Sequence, residues 1–373
     1  MKENTRRLID YSLPAVFENI LQTSVGFVDS VLIAKISLVA VSAVSLVNGV
    51  MAVYQAVFIA LAVAVATVVS NAAGARASKA VSENVRQSIA LSLMVGVILS
   101  ILSLVLAHPI LRAMGASGDI LQQGIIFFRV IAGTSVLIVL MTVLGQLIRT
   151  AGQTRTPLTI NLIVNILNFC LDFILIFGLF GFPRLGILGA GIGTALSRLI
   201  GVGLLFHKLQ QTSHRLQGPI FSRDQHIFKT EIVKRALPIM GERLMMRLGD
   251  IVIFVIIIAY GSKVFAGNAI GETITAYNYL PAFGFATGAS ILIARAYGAK
   301  DHLEIRKLTK TSFVMTAIIS TLVGGIIFAF STFILNFFTF DAVAVSAAQV
   351  VILISFVSEP IVAGVIIYTA ALQ

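Results

Sequence analysis

The chain has 373 residues, 58% of them hydrophobic and only 12% charged, with a formal net charge of +11. A soluble domain carries about 25% charged residues, so the composition excludes a water-soluble globule and points to an all-α, multi-pass membrane protein. The positive excess does not indicate nucleic acid, because the basic residues fall in loops between apolar segments rather than in one patch.

A bilayer core takes about 20 apolar residues per helical span. Reading spans between charge clusters predicts about ten helices, near 8–34, 38–70, 86–108, 120–146, 158–180, 186–207, 232–259, 264–294, 309–336 and 343–371. Segments 91–107 and 311–340 hold no charge at all. Lys and Arg then alternate by loop. Nineteen fall on the side of Lys2, Arg76, Arg149, Lys208 and Lys300, four on the side of Lys35, Arg112, Arg184 and Lys263, and four lie inside spans. Such an excess on alternate loops places the amino terminus in the cytoplasm and fits a cell (inner or plasma) membrane. The first apolar stretch follows a short basic start and contains Glu18 and Asp29, so it reads as a first transmembrane helix, not a cleaved signal. A single cysteine, Cys170, allows no disulfide framework.

The first span carries Glu18, Gln22 and Asp29 at i, i+4 and i+11, and Pro14 removes a backbone hydrogen bond and invites a bend. A buried carboxyl without a cation in its own helix suits a proton carrier; pairing of Asp29 with Arg198 is the structural alternative. The fifth span places Asn161, Asn165, Asn168 and Asp172 within roughly 60° of one another at about 100° per residue. This stripe reads either as an ion site lining a cavity or as a hydrogen-bonded helix seam, and the carboxylate favours the ion site. In the sixth span, Gly189, Gly191 and Gly193 follow no strand and indicate close helix packing.

From residue 232 the pattern repeats. At an offset of 224 residues Leu13-Pro14 meets Leu237-Pro238, Glu18 meets Glu242, Gly74-Ala75-Arg76 meets Gly298-Ala299-Lys300, and Ser88 meets Ser312. Six spans separate equivalent positions, so both halves cross the membrane in the same sense, as parallel repeats do. The expected organisation is an amino-terminal six-helix lobe at 1–207, a basic cytoplasmic linker at 208–231 and a carboxy-terminal lobe at 232–373. The offset carries Arg149 onto Gln373 and leaves 150–206 without a counterpart. The second lobe is therefore expected to stop after its fourth helix, where a full repeat would bring twelve helices and roughly 430 residues or more.

The second half has its own polar residues. Arg243, Arg247 and Asp250 share one helix face and invite internal ion pairing. Glu272 aligns with Asn48, Asn278 lies deeper, and Glu359-Pro360 in the tenth span reads either as a contact for a cationic substrate or as a capped kink. His207, His214, His226 and His302 read as solvated loop residues, with His108 near the outer end of the third span. They lack metal-ligand spacing, and the sequence lacks a phosphate-binding G-x-x-x-x-G-K-[ST] loop.

The sequence resembles the multidrug and toxin extrusion (MATE) family. The resemblance lies in Gln22-Thr-Ser-Val-Gly-Phe-Val-Asp29, Arg149-Thr-Ala-Gly-Gln-Thr-Arg-Thr-Pro157, Asn165-Ile-Leu-Asn168-Phe-Cys-Leu-Asp172, Gly189-Ala-Gly-Ile-Gly-Thr194-Ala-Leu-Ser-Arg198, Leu237-Pro-Ile-Met-Gly-Glu-Arg and Tyr368-Thr-Ala-Ala-Leu-Gln373. It implies two six-helix lobes around a cavity and exchange of organic cations against H+ or Na+, the coupling ion taking the place of any cofactor. The family's coupling-ion positions fall on Asp29, Asn168, Asp172 and Thr194, with Na+ possible at Asp29 and Asp172. Its bending proline falls on Pro14. Gln22, Asn48, Gln55, Asn165, Asn278 and Glu359 become candidates for the substrate cavity. A glutamate that some members carry two turns after the seventh-helix proline is Met246 here. The expected partners are the lipid bilayer and a small organic cation, with the protein a monomer. A lipid-linked precursor flippase of the same superfamily is the alternative, which Arg129, Arg198, Arg243 and Arg247 leave open; an inactive remnant is another. An enzyme is not expected, since no nucleophile–base pair or metal cluster is legible.

Overall fold

In the computed structural model, the backbone is described for residues 2–34, 36–220, 231–258, 260–336 and 341–372. Within these, side chains are left out at 2–4, 22, 24–31, 34, 38, 251, 254, 255, 258, 262, 265 and 266. The side chains of Gln22 and Asp29 and the loop segment with Arg223, His226 and Lys229 therefore lie outside the described residues. Helices are the only regular elements among the described residues: α1 Lys2–Ala34, α2 Leu38–Gly74, α3 Ser78–Ala113, α4 Gly118–Ile131, α5 Ser135–Thr150, α6 Arg155–Phe177, α7 Ile187–Gln210, α8 Glu231–Ile258, α9 Ser262–Gly298, α10 His302–Ala329, α11 Ser331–Leu335 and α12 Ala342–Leu372. Six of them, α2, α3, α6, α7, α10 and α12, are long and apolar enough to cross a membrane. The pair α4 and α5, bent by 43°, makes a seventh. The protein is thus a multi-pass, all-helical membrane protein. Each predicted span coincides with a helix or, at the fourth and ninth, with a helix pair; α1, α8 and α9 do not pass the same test of length and apolarity among the described residues.

The chain divides into two compact units, Leu21–Met240 and Met1–Ile20 with Gly241–Gln373. In the amino-terminal unit two apolar cores form. One joins Phe58, Val65 and Val69 of α2 to Val85 and Ile89 of α3 and Leu144, Leu147 and Ile148 of α5. The other joins Ala40, Val44 and Val47 of α2 to Leu111 of α3 and Phe127, Phe128 and Ile131 of α4. α6 and α7 pack most closely because α7 presents Gly189, Gly193 and Gly201 to α6: a Cβ at Gly189 would stand 2.7 Å from the Leu175 carbonyl carbon, and one at Gly201 2.7 Å from Val164 Cγ2. The glycines expected to serve packing do so, the membrane mode of bringing helix backbones together.

The carboxy-terminal unit is built on α9, α10 and α12, which pack pairwise against one another. Gly271 of α9 lets that helix approach Val351 of α12, where a Cβ would come within 2.8 Å. A cluster of Leu8 and Val16 with Phe285, Ala289, Leu292, Leu308 and Ile367 closes one end of the unit.

The repeat is legible in the backbone. α2 and α9 begin and end 224 residues apart. Both end on a non-glycine residue in the left-handed region, Arg76 at φ 55° and Lys300 at φ 57°. The residue after each donates across the turn, Ala77 N to Ala72 O at 3.1 Å and Asp301 N to Ala296 O at 3.0 Å, the Schellman arrangement that satisfies two orphan carbonyls. The halves differ in where their helices break. The second breaks between α10 and α11 at Phe330, where the equivalent Leu106 lies inside an unbroken α3. The first breaks between α4 and α5 at 132–134, whereas the equivalent stretch 356–358 lies inside an unbroken α12, just before Glu359-Pro360.

Asp341 starts α12. Its carboxyl accepts from the amides of Val343 and Ala344 at 3.0 and 3.2 Å and from Lys263 Nζ at 2.7 Å. The lysine hydrogen bond, followed by that from Ala344, holds this carboxyl below its usual range. A depressed folded value gives stability that is present above the unfolded carboxylate value, near ~3.9, and is lost as pH falls through the folded value. Asp341→Ala is expected to lower Tm modestly at pH 7 and to flatten its fall below about pH 4. Thermal melts of both proteins across this range check it; superimposable Tm–pH curves contradict it.

Candidate functional site

The buried line along α6 runs through Pro157, Ile160, Val164, Asn168, Asp172 and Leu175, each about one turn from the next. Asn168 is 5% and Asp172 2% exposed, which places both inside the α6–α7 seam. The Asp172 carboxyl lies against α7 at Gly193, where a Cβ would collide with its Oδ1. One residue on, Thr194 receives a hydrogen bond from Asn168 Nδ2 at 3.2 Å and donates to the Ala190 carbonyl at 2.9 Å. Three of the four residues expected to hold a coupling ion, Asn168, Asp172 and Thr194, thus meet on two facing helices. The fourth, Asp29, lies in helical backbone, and its side chain is outside the described residues.

The other candidates spread out. Pro14 is buried in α1. Asn48 and Gln55 of α2 are exposed, while Asn161 and Asn165 are half-buried at the margin of the α6 line. The predicted polar stripe therefore divides: its Asn168 and Asp172 enter the seam, while Asn161 and Asn165 stay half-buried. Arg247 pairs with Asp250 at 3.4 Å on exposed α8, as the face-sharing pattern predicts.

A second polar centre occupies the carboxy-terminal unit. Glu359 of α12 is 1% exposed and Asn278 of α9 is fully buried. Asn278 Nδ2 donates to Ser355 Oγ at 3.1 Å, Ser355 Oγ donates to Glu359 Oε1 at 3.4 Å, and Tyr279 OH stands 3.5 Å from Ser355 Oγ. Gly324 of α10 leaves room for the carboxyl: a Cβ there would lie 3.3 Å from Glu359 Cγ and 3.5 Å from Asn278 Nδ2. Two of the separate cavity candidates are therefore parts of one cluster, which the sequence showed only as isolated residues because they stand 81 positions apart.

His214 departs from its reading as a solvated loop residue. It is 5% exposed, and its Nδ1 lies 3.1 Å from Thr150 Oγ1 and 3.4 Å from the Leu147 carbonyl. The segment after α7 folds back on the end of α5, where the Leu147 carbonyl also accepts from Ala151 N at 3.2 Å and from Thr150 Oγ1 at 2.8 Å. His207, His108 and His302 are exposed, but they lie in α7, α3 and α10 rather than in loops. No group of three or more His, Cys, Asp or Glu side chains with metal-binding spacing occurs among the described residues. A cavity of about 270 Å³ in the amino-terminal unit, lined by Val68, Asn71, Ala72, Ala75, Asn84, Glu231 and Arg235, includes none of the sequence candidates.

The packing of Asp172 on Gly193 makes a direct prediction. Gly193→Ala is expected to displace the carboxyl and cut transport by about tenfold or more, the order of loss that misplacing a functional group brings. Gly203→Ala on the same helix, where a Cβ meets open space, is expected to leave it unchanged. Flux through both variants, normalised to inserted protein, checks this; equal flux contradicts it.

Comparison with known proteins gives the family. The MatE family model matches residues 14–174 and 238–373, beginning at the equivalent prolines of the two repeats. "Probable multidrug resistance protein NorM" of Thermotoga maritima is 30% identical over 344 residues, which are 91% of this chain and 73% of that protein. "Uncharacterized transporter YisQ" of Bacillus subtilis is 26% identical over 257 residues, 68% of this chain and 56% of its own length. Among solved structures, an outward-facing multidrug resistance MATE family transporter of the MOP superfamily superposes with a TM-score of 0.88 at 22% identity, over 99% of this chain and 83% of that one. With both repeats matched, the same helical fold and a membrane-spanning composition, the chain is a member of the MatE family of transporters.

Proposed function

We propose that this protein is a secondary active antiporter that exports organic cations in exchange for H+ or Na+. The observation that carries this reading is Asp172, a carboxyl 2% exposed in an apolar helix seam, with the Asn168–Thr194 hydrogen bond beside it. The names of relatives support it, one being called a probable multidrug resistance protein and another a multidrug export protein. The proposal includes ten spans, a cytoplasmic amino terminus and a monomer in the cell membrane.

The chemistry follows from burial. An ionised carboxyl in an apolar interior costs several kcal/mol unless a partner compensates it. Uptake of a cation at Asp172, with Asp29 as its expected counterpart on α1, neutralises that charge. Asn168 and Thr194 supply an amide oxygen and a hydroxyl oxygen for the ion. Because the carboxyl is lodged on Gly193, its loading is felt directly by the packing of α7 on α6. Exchange then requires only that ion-loaded and substrate-loaded states bind their ligands with different affinity.

Asp172→Asn keeps the shape of the side chain and removes its charge. It is expected to abolish organic-cation flux driven by an imposed H+ or Na+ gradient in proteoliposomes, with membrane insertion unchanged. Normal gradient-driven flux through the variant refutes the role of Asp172. Transport of a lipid-linked precursor in place of an organic cation by the unaltered protein would refute the substrate class.

A further inference from the structure

The Glu359 cluster continues into a line of hydroxyls on α10. Ser312, Thr316 and Ser320 recur every fourth residue, each fully buried, and Gly324, next in the series, touches Glu359 and Asn278. The hydroxyl oxygens of all three, together with Glu359 Oε2 and Asn278 Oδ1, are buried without a hydrogen-bond partner among the described residues. Five orphaned polar atoms along one interior line are far from ordinary, because buried polar groups are nearly always satisfied.

The other half of the molecule serves as an internal control. Ser88 and Ser92, the equivalents of Ser312 and Thr316, donate back to the carbonyls of Asn84 and Ser88 at 2.6 and 2.7 Å. Ser320 is replaced by Gly96, and Glu359 by Ser135, whose hydroxyl donates to the Ala132 carbonyl at 2.6 Å. The amino-terminal repeat closes this line upon itself. The carboxy-terminal repeat leaves it open and puts a carboxyl at its end.

We infer that Glu359 is a proton-loading site within the carboxy-terminal unit, supplied along the Ser312–Thr316–Ser320 face of α10 from the end of the helix that carries Arg306, Lys307 and Lys310. The line from Ser312 to Gly324 spans about 18 Å at 1.5 Å per residue. On this inference water stands between successive hydroxyls of the line, since a buried water needs two or more polar contacts and the orphaned oxygens recur about once per turn. An excess proton enters as hydronium and is relayed from water to water along this file: the last O–H bond breaks at a hydronium and one forms at Oε2, leaving water and a neutral acid able to donate to a neighbouring oxygen. The groups facing Glu359 from the elements packed on it are Asn278 and Tyr279 of α9 and Gly324 of α10, with Ser355 on its own helix. Among them only Tyr279 carries an ionisable group, and no lysine or arginine pairs with Glu359 among the described residues. The inference extends the ion-coupled reading above by naming a second loading site, and its test does not depend on Asp172.

The test uses the full chain reconstituted in lipid, with infrared spectra of the carboxylic-acid carbonyl band recorded after transfer from H2O to D2O. A protonated-carboxyl band that disappears in Glu359→Gln is expected, in the Asp172→Asn background as in the unaltered protein. Its deuterium shift is expected to slow about tenfold or more in a Ser312→Ala, Thr316→Val, Ser320→Ala variant, which leaves the carboxyl in place and covers the case in which Glu359→Gln does not fold. Absence of any band assignable to Glu359 overturns the site. Unchanged exchange in the α10 variant overturns the path, and so does a site that responds to Na+ but not to pH. Persistence of the Glu359 band and its exchange alongside normal flux in Asp172→Asn would sink the antiport role of Asp172 and leave this inference standing.

Discussion

A carboxyl group inside an apolar helix bundle must lose its charge, find a cation or be compensated by several hydrogen bonds. Among the described residues two are buried, Asp172 in the amino-terminal unit and Glu359 in the carboxy-terminal unit, at 2% and 1% exposure. Each is seated against a glycine of the neighbouring helix, Gly193 of α7 and Gly324 of α10. The glycines do two things together. They let helix backbones approach closely, where packing rather than hydrophobicity holds membrane helices, and they seat each carboxyl directly against the neighbouring helix. The hydrogen bonds of Asn168 to Thr194 and of Asn278 to Ser355 lie beside these two seats.

The two units show how one helical scaffold can carry different chemistry at equivalent positions. Helix ends agree across the repeat, down to the left-handed residues Arg76 and Lys300. The interiors diverge at Ser135 and Glu359. In the first repeat the chain breaks into α4 and α5 at this point, and the Ser135 hydroxyl caps a freed carbonyl. In the second, α12 stays helical and Pro360 follows the glutamate directly. A proline inside a helix removes one backbone hydrogen bond, so both solutions leave backbone polar groups to be satisfied near the same level. Only the second adds an ionisable group.

The helices and the repeat were legible in the sequence because they rest on local or self-referential signals: apolar length, basic loops and a constant register. The break in α4–α5 and the one after α10 were not, since Ala132-Gly133-Thr134 and Phe330 carry no charge to mark a boundary. Of the site, the α6 stripe and the α7 glycines were visible as patterns, yet which asparagines entered the seam depended on what α7 presents at each level, as Thr194 does to Asn168 and Gly193 to Asp172. The Glu359 cluster joins residues of α9, α10 and α12, and periodicity within a helix says nothing about partners on another. His214 looked solvated because its neighbours in sequence are polar. Its burial comes from Leu147 and Thr150 of α5, more than 60 residues earlier. Fold and family thus follow from the chain itself, whereas function rests on the site, as it does for any fold shared by many activities.

The central claim is that cation loading of Asp172 alters how α7 packs on α6. Hydrogen–deuterium exchange of the α7 segment 189–201, compared with and without the coupling ion, reads this directly. Loading is expected to change protection of that segment in the unaltered protein and to leave it unchanged in Asp172→Asn. A segment whose protection responds equally in both proteins, or in neither, would contradict the claim.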